Sequence, residues 1–243
     1  MERTIGGALG VLGAKRARPR SRSVRKDWSA WLPNEMDRLF DATRGELESS
    51  NVILSISLDE ALAFCDRGQL EHARESFAVF SDLFDRLAIR LNLVIRTLKE
   101  HGSHFGTLPN VSPLSASNFR GATAQRISMM SGLLAKVVFS GRTRFFHKLS
   151  SLEDVIGELQ KESRSIVGSA AFGSPEVTEH AWRELEVLGY DLNTCMGETT
   201  VVLKSFFCAL PAEELEPFRL KLVTLVPALL AMEPGPRRAL KRK

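Results

Sequence analysis

The chain has 243 residues, 44% of them hydrophobic and 26% charged, with a net charge of +4. Such proportions suit one sizeable globular domain, or two small ones, and exclude wholesale disorder. Seventeen Gly and ten Pro are too few for a collagen-like chain, and a single Tyr with three Trp argues against a sandwich of aromatic strand pairs. No uncharged apolar run approaches the ~20 residues of a membrane-spanning helix.

Residues 1–26 carry eight Lys/Arg against one acid. The apolar stretch Thr4–Ala14 precedes that charge, the reverse of a secretory signal. The segment reads as a disordered basic tail, with a transit peptide or an early start site as alternatives. A helical-bundle domain is expected over 27–232 and a second basic tail over 233–243. Leu32, Met36, Leu39 and Leu47 predict an opening helix near 28–50. Asn51–Leu58 is the best strand candidate, but its apolar residues continue in step with Ala61 and Cys65, which predicts a helix closed by Gly68.

Leu70, Ala73, Phe77, Phe80, Phe84, Leu87, Leu91, Val94 and Leu98 alternate spacings of three and four, the stripe of one long helix. Val79, Leu83, Ile89, Leu93 and Ile95 widen the stripe and predict burial against more than one neighbour. The run Gly68–Ala73, with Phe64 before it and Phe77 after it, resembles the helical hairpin of a tetratricopeptide repeat. Its second helix is too long for that family, and no second copy follows at a period of about 34 residues, so it reads as an ordinary helical hairpin. The same rhythm predicts helices near 117–139 (Ile127, Met130, Leu134, Val137), 142–168 (Phe145 to Ile166) and 175–210 (Ala181 to Ala209). Gly189 and Gly197 are expected to bend or split the last of these. Leu215, Phe218 and Leu222 to Met232 predict a final stripe. The expected fold is all-α, an antiparallel bundle of six or seven helices with disordered basic termini.

Two segments interrupt the helices. Residues 101–118 hold two Gly and two Pro and no Lys, Arg, Asp or Glu, and a loop this long is expected to be functional or disordered. Gly168–Ser174 reads as a short hinge.

Charge is segregated along the chain: residues 27–100 sum to −6, 101–152 to +6, 153–236 to −8 and 237–243 to +5. The window 101–152 contains no acid at all. Its densest part is Ser140–Lys148, where Ser140 or Thr143 can cap a helix and Arg142, Arg144, His147 and Lys148 fall in the first two turns. Cations there oppose the helix dipole, so something must offset them. Two offsets are open: a bound anion, or carboxylates of the acidic flanking segments. The four residues are therefore a candidate anion site. His147–Leu152 is similar to the phospho-accepting His segment of dimerising two-helix kinase domains, but the acid after that His is Lys148 here and no nucleotide-binding segment follows.

Cys65, Cys195 and Cys208 lie far apart with no CxxC, which predicts neither disulfide nor zinc site and suits a reducing, cytoplasmic compartment. His101 and His104 lack neighbouring ligands. No catalytic residue, metal or cofactor is assigned. The leading expectation is a non-enzymatic protein-interaction module that binds another protein through a helical groove or the 101–118 loop. A nucleic-acid-associated protein using residues 15–26, 237–243 and the 142–148 cluster is the first alternative. A phosphotransfer or anion-binding protein centred on His147 is the second. The near-heptad spacing permits a coiled-coil homodimer.

Overall fold

The computed structural model describes residues 45, 48–49, 52–135, 137, 139–170, 174–211, 213–218 and 220–221. The expected helix near 28–50 (three positions apart), both basic tails, Lys136 and the run from Leu222 to Met232 lie outside the described residues. Helix α1 covers 52–66, so the strand candidate is helical. Gly68 ends it at φ +71°, where its amide donates to the Cys65 carbonyl and the Gln69 amide to the Phe64 carbonyl, both at 2.9 Å. These bonds satisfy carbonyls that the last turn leaves without helical partners, at a φ that a Cβ would strain.

Helix α2, Leu70–Gly102, is the long striped helix. Every stripe residue from Ala73 to Leu98 is buried, while Leu70 is exposed at its start. Val79 and Ile89, expected to widen the stripe, face solvent instead. Helix α3 is Gly121–Leu134, α4 is Gly141–Ala170, α5 is Pro175–Ala209, and α6 includes 213–218. Ser174 caps α5 by accepting from the Val177 amide, and Pro175 follows in the first turn, where its missing N–H costs nothing. Gly189 and Gly197 do not interrupt α5. Buried Leu185, Leu188, Leu192, Cys195 and Val202 on either side of them hold the helix by packing, which outweighs the glycine penalty. Among the described residues no strand occurs, and no helix is long and apolar enough to cross a membrane. The chain is an all-α helical bundle.

Cross-helix pairs fix the directions. Asp85 meets Arg164 while Glu153 meets Arg96 and Lys99, so α2 and α4 run antiparallel. Lys148 meets Glu198 and Phe145 stacks on Phe206, so α4 and α5 do the same. Where α2 ends and α4 begins, Phe105, Phe145, Phe206, Phe207 and Phe218 form one cluster with centroids 4.9 to 6.1 Å apart, mostly edge to face. Gly102 permits that closure, since a Cβ there would stand 3.0 Å from the Phe145 ring.

The segment after α2 differs from expectation. Helix α2 takes in His101 and Gly102, and the following residues form an ordered strap rather than a loose loop. Leu108, Val111, Leu114 and Phe119 are buried in the core, and a short 3-10 turn spans Ala116–Asn118. The strap starts at Phe105 against Phe206 and finishes at Arg120 against Asp191, and thus runs back along α5. Helix α3 then returns the chain to Ser140.

Candidate functional site

Ser140 caps α4 as its sequence suggests: its Oγ accepts from the Thr143 amide at 3.3 Å and its carbonyl from the Arg144 amide at 2.9 Å. The four cationic candidates beyond it take different places. Arg142 donates from both Nη atoms, to the carbonyls of Ser103 and Phe105, each at 2.9 Å. It supplies a cation just past the carbonyl end of α2, where the dipole favours one. Lys148 is 3% exposed and pairs with Glu198 of α5. The same carboxylate accepts from Asn118 of the strap at 3.2 Å. Arg144 is exposed, and its nearest partner is the Asn110 amide oxygen at 3.4 Å. His147 is half-buried, stacks on Phe139 at 5.5 Å and sets Nδ1 3.5 Å from the Ser151 hydroxyl. Arg144 and His147 share one groove, whereas Arg142 is engaged by backbone carbonyls at the surface and Lys148 by a carboxylate in the interior.

That groove, about 290 Å³, lies between the strap, α3 and the start of α4. Leu114, Ile127, Met130, Leu134 and Phe139 form most of its wall, and Arg144, His147 and Ser151 one side of it. Among the described residues no Asp or Glu lines it. Its floor owes its apolar character to α3, which departs from the predicted stripe. Of Ile127, Met130, Leu134 and Val137, only Ile127 is buried, and Val137 is exposed. Met129 and Leu133, on the outer side, are 65% and 77% exposed. The signal for this was in the run from Ile127 to Leu134, which is apolar on more than one face and carries no charge.

Helix α3 has no side-chain cap of its own. Asp191 of α5 provides one across the fold: its Oδ1 accepts from the Arg120 amide at 2.8 Å, and its carboxylate also accepts from Thr123. Asp191 is fully buried and its Oδ2 has no hydrogen-bond partner among the described residues. Burial raises its pKa above the ordinary carboxylate value, with the Arg120 and Thr123 bonds opposing that shift. A readable sign existed here too, because Asp191 falls on the apolar stripe between Leu188 and Cys195.

Two further described cations of the acid-free window, Arg126 and Arg120, are also engaged. Arg126 pairs with Glu158 at 3.0 Å, and Arg120 lies 3.7 Å over the Tyr190 ring. His101 meets Phe218 edge-on, and its pKa is lowered, first by burial and then by Lys221. Cys65, Cys195 and Cys208 are all free, and burial holds the Cys195 thiol far above its usual pKa. Among the described residues no group of three His, Cys, Asp or Glu stands close enough to hold a metal ion. A second cavity of about 260 Å³ between α1 and α5 mixes Asp59 and Glu186 with Arg120 and Trp182. No family model matches the chain, and no curated protein or solved structure matches it.

Proposed function

We propose that this chain is a non-enzymatic protein-interaction module whose contact surface is the outer face of α3 together with the groove beside it. The observation that carries the reading is the contrast between α3 and its neighbours. Helices α2, α4 and α5 bury their stripes, while α3, 14 residues long, buries only Thr123 and Ile127. Each large apolar side chain left in water forgoes roughly 1.5–3 kcal/mol of burial. Contiguous apolar surface on a folded protein marks contact sites. Met129, Leu133 and Val137 lie along α3 and just past its end, next to a concave wall that can accept a partner's side chain. The long helices act as a frame, and the strap and α3 form the presented surface.

The test compares variants rather than one capture. Met129→Asp with Leu133→Asp alters the α3 face, and Val79→Asp with Ile89→Asp alters an exposed apolar part of α2. All four positions are exposed, so the fold tolerates the changes. Proteins cross-linked to the native chain in its own cell extract are expected to be lost with the α3 pair and kept with the α2 pair. Equal capture by both double variants overturns the reading.

A further inference from the structure

We propose that the α3–α4 groove receives an amphipathic helix of a partner protein whose apolar ridge is flanked by Asp or Glu, with one carboxylate paired to Arg144. This rests on the interaction reading above and adds the chemistry of the partner. The size of the groove sets the first part. At about 290 Å³ it lies at or below the small end of the ~300–1,000 Å³ usual for small-ligand clefts, and suits an anchoring side chain. The ridge formed by Met129 and Leu133 beside it continues the contact at helical spacing, the geometry by which two helices interlock.

The charge sets the second part. Among the described residues the groove's lining contains Arg144 and His147 and no acid, within a 52-residue stretch that has none. Of the described cations in that stretch, Arg126 and Lys148 reach carboxylates, Arg142 reaches two backbone carbonyls and Arg120 covers a Tyr ring. Among the described residues, Arg144 has only a neutral amide at 3.4 Å, the limit of a hydrogen bond. A guanidinium with donors to spare at the edge of an apolar wall matches a carboxylate bidentately. The same arrangement repels a Lys- or Arg-flanked ridge, so it selects as well as binds.

The experiment is a display selection of random helix-forming peptides against the full chain, followed by affinity measurement on the enriched peptides. The expected peptides repeat Leu, Ile or Phe at spacings of three and four, with flanking Asp or Glu. Their binding is lost with Met129→Asp and Leu133→Asp, weakens about tenfold in Arg144→Gln, and falls with added salt. Arg144→Glu reverses the preference toward Lys-flanked peptides. Peptides that compete at α3 yet lack acids, or that ignore Arg144→Glu, overturn the acidic-partner inference and leave the interaction reading standing. Failure to enrich any α3-sensitive peptide overturns the inference as well. So does a native dimer, seen by light scattering, that the α3 variants dissociate, since a second copy would then occupy the groove.

Discussion

Lys148 is the residue whose surroundings differ most from those of an exposed cation at a helix start. It is buried against Glu198, and that carboxylate also holds the strap through Asn118, so one pair joins α4, α5 and the strap. Removing one member of a buried pair leaves the other without compensation, whereas replacing both by apolar or neutral groups is nearly neutral. Lys148→Ala is therefore expected to lower unfolding stability by about 3 kcal/mol in denaturant titrations. Lys148→Met combined with Glu198→Gln should recover most of that loss. Two other acids give the protein opposite pH responses. Glu153 is held below the ordinary carboxylate pKa, first by its hydrogen bond from Lys99 and also by Arg96. Its contribution is complete above the ordinary value and is lost as pH falls through the depressed one. Asp191 is raised by burial, so its contribution is present below the ordinary value and is lost as pH rises through the raised one. Stability measured against pH should then lose part of its acid-side fall in Glu153→Gln. In Asp191→Asn it should lose a decline that begins just above the ordinary Asp pKa.

At the scale of the element, α3 is the least embedded of the helices α1 to α5, and its attachment is concentrated at one end. Asp191 takes the place of a local N-cap, and loss of a cap costs about 1 kcal/mol. Asp191→Ala should speed amide hydrogen exchange several-fold across residues 121–134, with α2 and α4 protection unchanged. Helix α5 gives the contrary case. Gly197 is exposed, with nothing within 4 Å of an added Cβ, so Gly197→Ala is expected to raise stability by about 1 kcal/mol. These elements also show what a sequence reveals. Helices α2, α4 and α5 were readable because burial on one side imposes a three-and-four rhythm, and Phe145, Leu149, Leu152, Ile156 and Leu159 are each buried as that rhythm requires. The strap was not readable as core because it has no helical period. Leu108, Val111 and Leu114 instead recur every third residue beside Pro109 and Pro113, the period of an extended proline-bearing chain. For the candidate cluster, the sequence placed four cations at one helix start. Only tertiary approach decides that Arg142 turns to α2, Lys148 to α5, and Arg144 and His147 to the groove.

Taken as a whole, the molecule resolves much of its segregated charge internally. Acids of residues 153–236 meet cations of the preceding segments through Glu153, Glu158 and Glu198, while Asp85 answers Arg164 in the other direction. Most of these contacts are exposed pairs worth under about 1 kcal/mol each, so they direct register more than they stabilise. Cohesion comes from the phenylalanine cluster and the three buried stripes. High salt is thus expected to shift the thermal midpoint by only a few degrees, read by circular dichroism, while it weakens the binding of acid-flanked peptides proposed above by about tenfold.

The strap and α3 leave the frame and return to nearly the same place. Ser103 at the start of the excursion and Arg142 at its end touch, with the guanidinium 2.9 Å from the Ser103 carbonyl. A plain hairpin could therefore connect α2 to α4, and residues 103–140 form an insertion that the helical frame does not require for its connectivity. Replacement of that insertion by a short glycine-serine turn should give a shortened chain that remains helical and melts cooperatively at a lower temperature. The wall of the groove would go with it, so the surface proposed for contact sits on the excursion while the three buried stripes stay with the frame, and the lower melting temperature measures what Leu108, Val111, Leu114 and Phe119 add to the shared core.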